Sequence, residues 1–254
     1  MEPLLAALRH SHDALRATVE PLDEDTLRQR SYCSEWSIAQ VLSHLGSGAE
    51  IFSLFLDAGL TGTEPPGPDA FPPIWQAWNE RAPQAQAADA LAADEALVKR
   101  LESLTPAERD TVRLQFFGMD LDADGLARIR LGEHAVHSWD VAVALDPAAT
   151  VAADAVSLLI DSLGQLVARA GQPTSSPRAI RVSTTGPQRD FVLETGEPRL
   201  IPADGTEGDR GPRLRLPAEA LVRLVYGRLD AGHAPAVEAD DVDVDDLRRM
   251  FPGF

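Results

Sequence analysis

Glu133 and His137 stand four residues apart in the stretch RLGEHAVHSWD (130–140), inside a run with helical periodicity. On a helix that spacing brings the two Cβ atoms to roughly 5–6 Å, so a carboxylate and an imidazole can converge on one ion. Asp140 follows one turn after His137 and can accept the second ring N–H, fixing the tautomer. At 100° per residue, Leu126, Ile129, Val136 and Ala144 define the expected buried stripe of this helix, and Glu133, His137 and Asp140 fall within it. Unpaired polar groups there would cost several kcal/mol, about 2–7 each in an apolar setting, so they need a partner. His44, beside Val41 and Leu45 on another helix, can supply a third ligand. Two histidines and a glutamate with an open fourth position form the pattern of a catalytic zinc site. The same residues allow a plainer arrangement, with Glu133 paired to Arg128 or Arg130 and His137 a satisfied core histidine. His12 lies on the apolar stripe of the first helix, as a neighbour of the site or as bundle filling. His134, turned some 60° from His137 by the helical angle of about 100° per residue, is expected at the surface.

The elements that must carry these residues are helical. The first helix runs from Glu2 to Val19, with Leu4, Leu8, Leu15 and Val19 beside His12. A second opens at Ser37, where Gln40 completes a capping box, and Ile38, Val41, Leu42, Leu45 and Phe52 supply its apolar face. The stretch DAGLTGTEPPGPDAFPP (57–73) is too rich in Pro and Gly for regular structure. Further helices are predicted over 84–104, 121–145 and 152–170, the last closed by Gly171 and Pro173. Long helices with short connections imply an antiparallel bundle over residues 1–171. After GQPTSSPR (171–178) the pattern changes: 179–184, 190–194 and 213–217 alternate like strands, and helices follow near 218–228 and 243–251. Residues 178–254 are therefore expected to form a small α+β domain.

The bulk composition narrows the function classes. The 254 residues are 44% hydrophobic and 25% charged, a globular composition with formal charge −17. Such an acidic chain lacks the basic patch that nucleic acid or an anionic membrane demands. There is no basic flank followed by an apolar run at the N-terminus, and no stretch approaching the ~18 apolar residues of a membrane span. Cys33 is the single cysteine, consistent with a reducing cytoplasm. Its place beside Trp36 reads as structural. Lys99 is the only lysine among 23 basic residues, and the Arg, Ala and Asp excess reads as a GC-rich bacterial genome.

CSEWSIAQVLSHLGSGAE (33–50), followed far downstream by RLGEHAVHSWDVAVAL (130–145), resembles the mycothiol-dependent maleylpyruvate isomerase family of the DinB-like superfamily. The resemblance covers most of the chain. It implies a DinB-like helical bundle holding a divalent metal, most simply zinc, through His44, Glu133 and His137, with mycothiol as thiol cosubstrate. It also implies a C-terminal α+β domain like sterol carrier proteins, and ALVRLVYGRLD (220–230) resembles the Gly-Arg-containing helix of that domain. The expected partners are a small electrophile and a low-molecular-weight thiol, and the expected assembly is a monomer or homodimer. The chemistry so implied is addition of a thiolate to the electrophile, leading to isomerisation of a cis double bond or to S-transfer. Arg81 and Arg228, and with them His12, are candidate groups for binding the substrate or thiol. A hydrolase using the same three ligands with water, or a small-molecule binding protein without catalysis, are the alternatives.

Overall fold

The structure is a computed structural model describing residues 1–33, 35–203 and 211–253, and the chain divides into two compact units, Met1–Thr150 and Val151–Phe254. In the first unit, α1 (Glu2–Val19), α3 (Ile38–Thr61), α5 (Pro83–Glu102) and α7 (Ala123–Leu145) are the long helices. Three short helices connect them, α2 (Glu24–Leu27), α4 (Phe71–Asn79) and α6 (Pro106–Thr111), and a small hairpin of β1 (Leu114–Phe116) and β2 (Met119–Leu121) precedes α7. Leu15, Val19, Leu27, Ile38, Leu42, Leu45, Trp78, Ala90 and Val141 bring α1 to α5 and α7 into one apolar cluster.

The capping box expected at Ser37 is present: Gln40 N donates to Ser37 Oγ at 3.2 Å and Ser37 N donates to Gln40 Oε1 at 2.8 Å. α7 differs from its expected pattern. Rather than one buried stripe it is buried on nearly every side, Arg130, Leu131, His134, Val136, Trp139 and Val143 included, whereas Ile129 is only partly buried and Ala144 is exposed. A helix buried on several sides has no single apolar face. The Pro-rich segment 57–73 is also more regular than its composition suggests. α3 continues to Thr61, and α4 begins at Phe71 with Pro72 and Pro73 in its first turn, where proline's missing N–H costs nothing.

The second unit begins earlier than the linker at 171–178 implies. The helix expected over 152–170 is broken into α8 (Ala153–Leu159), a 3₁₀ turn at Ile160–Ser162, and α9 (Leu163–Ala170). It belongs with the sheet: a Cβ on Gly164 would lie 2.7 Å from the Leu200 carbonyl oxygen, so α9 rests directly on a strand. The sheet has the order β5-β4-β3-β6-β7, formed by β3 (Ala179–Thr185), β4 (Arg189–Glu194), β5 (Arg199–Pro202), β6 (Arg213–Pro217) and β7 (Glu238–Asp240). Among the described residues only β3 and β6 pair in parallel. α10 (Ala218–Val225) and α11 (Val244–Met250) complete the unit. Among the described residues no helix is long and apolar enough to cross a membrane.

Candidate metal centre

His44 lies on the second turn of α3, and Glu133 and His137 lie on successive turns of α7. The fold brings all three together. His44 Nε2 is 3.4 Å from Glu133 Oε2, His137 Nε2 is 3.8 Å from the same oxygen, and the two imidazole centroids are 4.6 Å apart. The His44–Glu133 contact is at the long limit of a hydrogen bond and the His137–Glu133 separation is beyond it. The first equals, and the second exceeds, the edge of a tetrahedron around a central ion, about 3.4 Å for bonds of about 2.1 Å. The three donors have the composition and the proximity to hold a divalent metal.

Asp140, fully buried, accepts a hydrogen bond from His137 Nδ1 at 2.8 Å, which leaves the Nε2 lone pair facing His44 and Glu133. Burial pushes the His137 pKa down, and although the Asp140 hydrogen bond pulls it up, the outcome is a net lowering that favours the neutral, ligating form. Burial also pushes the Glu133 carboxyl up, but the His44 hydrogen bond and the charges of His137, His44 and Arg130 outweigh it and hold the group at about 2. The set therefore places a carboxylate beside a His137 ring held toward its neutral form.

The segment before α3 closes one side. Tyr32 N donates to the Asp140 carbonyl at 3.1 Å, tying this loop to α7, and Cys33 Sγ donates to Asp140 Oδ2 at 3.1 Å. Cys33 thus touches the carboxylate that orients His137, a contact the sequence reading missed because the two residues are 107 positions apart. Trp36, 37% exposed, has its ring 5.3 Å from that of His44 and 6.4 Å from that of His137. It gives the site an indole wall.

The other candidates lie elsewhere. His12 is fully buried and belongs to a separate cluster, with Nδ1 donating to Asp94 Oδ2 at 2.7 Å and Nε2 beside Glu95 and Arg16. That sealed position corresponds to filling. His134 is not a surface residue. It is fully buried, its Nε2 is 2.9 Å from Asp94 Oδ2, and Ser11 Oγ and Ser138 Oγ flank its Nδ1. His12, Asp94 and His134 also have metal-ligand composition. However, both imidazoles already lie in direct contact with the Asp94 carboxylate, and Arg130 Nη2 sits 2.6 Å from Asp94 Oδ1, supplying the positive charge an ion would bring. Arg130 is therefore committed to Asp94 rather than to Glu133. Arg81 stacks over Trp78, with its guanidinium carbon 3.7 Å from the ring centroid, and pairs with Asp89 at 3.1 Å. Arg228 lies in the second unit, buried, and donates from Nη1 to the Tyr226 carbonyl at 2.6 Å.

A helical unit carrying a His₂Glu donor set with an oriented histidine defines a class of candidate metalloproteins. Residues 8–142 match the family model of the mycothiol maleylpyruvate isomerase N-terminal domain. The chain belongs to that family. The solved structure of the mycothiol-dependent maleylpyruvate isomerase has the same fold, with a TM-score of 0.66 and 15% identity over 91% of this chain and 90% of that one. A histidine-to-alanine mutant of that isomerase matches with a TM-score of 0.66 and 14% identity, over 93% and 92% of the two chains. No curated protein matches this sequence.

Proposed function

We propose that this chain is a metal-dependent enzyme that uses mycothiol to act on a small electrophile, isomerising a cis double bond. The observation that carries the proposal is the convergence of His44, Glu133 and His137, with His137 oriented by Asp140, in a chain of the maleylpyruvate isomerase family. His44, Glu133 and His137 would hold one divalent ion, most simply zinc. Such an ion, when bound, lowers the pKa of a thiol so that it is a nucleophile at neutral pH. Glu133 contributes the negative charge of the set. Asp140 keeps the Nδ1 proton of His137 in place, so that the ring presents Nε2 in one orientation. Trp36 excludes water from one side of the site and offers a flat apolar face to a conjugated substrate.

The chemistry balances without a further reactant. The cosubstrate thiolate adds to one alkene carbon, the resulting single bond turns, and expulsion of the same thiolate leaves the trans alkene and regenerates the thiol. S-transfer differs in that the thiol stays attached and the anion formed by its addition takes up the proton that the thiol lost. The C-terminal unit, a five-stranded sheet with helices, is assigned the sterol-carrier-protein-like fold that the resemblance implies, and the cytoplasm is the assigned compartment.

The test is a panel of activated cis alkenes and epoxides assayed with no thiol, with cysteine and with mycothiol. Turnover that requires mycothiol and vanishes in His137→Ala together with bound metal is the expected result. Equal turnover in all three arms would overturn the thiol requirement and favour metal-assisted hydrolysis. Saturable uptake without turnover would mark a binding protein.

A further inference from the structure

We infer that Arg130 is the positioning residue of this site: by bridging α3, α5 and α7 it sets the separation between His44 and the Glu133–His137 pair. The inference rests on the reading of these three residues as metal ligands. Arg130 is 1% exposed and reaches three helices from the interior. On α5 it forms hydrogen bonds to Asp94 Oδ1 from Nη2 at 2.6 Å and from Nε at 3.3 Å. On α3 its Nη2 donates to the Leu45 carbonyl at 3.1 Å, at the residue next to His44. On its own helix it stands three residues before Glu133 and seven before His137, so all three occupy one stripe.

A buried guanidinium is costly unless fully paired, and here the whole surrounding is built to hold it. Asp94 is itself fixed by His12 Nδ1 at 2.7 Å and His134 Nε2 at 2.9 Å. Gly48 completes the seat, because a Cβ there would lie 3.2 Å from Arg130 Nη1. The Phe52 ring flanks the guanidinium, with 5.6 Å between the guanidinium carbon and the ring centroid. Leu45, Gly48 and Phe52 are on successive turns of α3, so the guanidinium lies along that helix for two turns beginning at Leu45, the residue after His44. Ligands from two helices form one set only if the helices keep their register to about 0.5 Å. A planar fork that donates to fixed acceptors at Leu45 and Asp94 imposes that register, and a lysine ammonium cannot reproduce it.

The test compares zinc affinity, by chelator competition well below the melting temperature, in the full chain and three variants. Arg130→Lys keeps the charge beside Asp94 but loses the fork, and is expected to weaken zinc binding ~10–100-fold, the range for losing an outer support of a metal site. Gly48→Ala raises intrinsic helix propensity while pressing on Arg130 Nη1, and is expected to weaken binding in the same direction without loss of melting temperature. Leu8→Ala opens a core cavity at a fully buried position and is expected to lower the melting temperature with zinc affinity unchanged. Affinity unchanged in both Arg130→Lys and Gly48→Ala would overturn the inference. Leu8→Ala losing affinity in proportion to its melting temperature would reduce Arg130 to a structural role and overturn it likewise. Wild-type protein that takes up no zinc would instead overturn the metal reading itself, and the positioning role with it.

Discussion

Asp140 Oδ2 receives two hydrogen bonds, from His137 Nδ1 and from Cys33 Sγ, while its residue is wholly buried. The two donors differ in what they support. The imidazole is a proposed ligand, so replacing Asp140 by Asn, whose amide can turn its N–H₂ toward His137, is expected to weaken metal binding by ~10–100-fold. The thiol only helps to fix the carboxylate. Cys33→Ala is therefore expected to keep one ion per chain and to lose less affinity than Asp140→Asn, as read by elemental analysis and chelator competition. Equal losses would make the thiol a working part of the site.

Helix contacts decide whether these residues meet. α4 approaches α3 so closely at Gly46 that a Cβ there would lie 2.2 Å from the Trp78 ring. Trp78 is held in turn by its Nε1–H bond to Glu50 at 2.8 Å. Gly46→Ala is expected to cost about 1–3 kcal/mol through overpacking, visible as a lowered urea midpoint. What the sequence made legible follows the same local logic. The Ser37–Gln40 box marked the start of α3, and i,i+4 spacing marked Glu133 with His137, because both are properties of neighbouring residues. The burial of His134 and Arg130 was illegible, because a single-stripe pattern assumes one buried face and α7 has several. α4 was hidden by two prolines that are harmless in a first turn. β5 and β7, with four and three residues, were too short to show alternation.

For the molecule as a whole, the two compact units set what a fragment can do. Leu159, Ile160, Leu163 and Val167 are buried and belong with the sheet, so a chain ending at Thr150 is expected to stay helical, soluble and metal-binding. A chain ending at Gln172 carries those side chains without their partners and is expected to aggregate more, as measured by size-exclusion chromatography. Stability in acid turns on Asp94. Burial pushes its carboxyl up, but His134, Arg130 and the His12 hydrogen bond hold it well below the usual range. A folded pKa below the unfolded value of about 3.9 means that this contribution is complete above that pH and is lost as pH falls toward the folded value. Asp94→Asn is expected to flatten the loss of urea stability between about pH 5 and pH 3, and to cost ~3–5 kcal/mol at pH 7 by stranding Arg130. Failure of both would show the network to be energetically idle. The sheet of the second unit carries one more consequence. Its two outermost strands are β7, all three residues of which are exposed and two of them acidic, and β5, which ends in Pro202. An unpaired strand edge invites a neighbouring chain to add its own strand, and charge and proline are what discourage it. With a formal charge of −17 behind it, this rim resists fibre-like growth from copy to copy, and concentrated protein should remain dispersed where a neutral rim would seed aggregation.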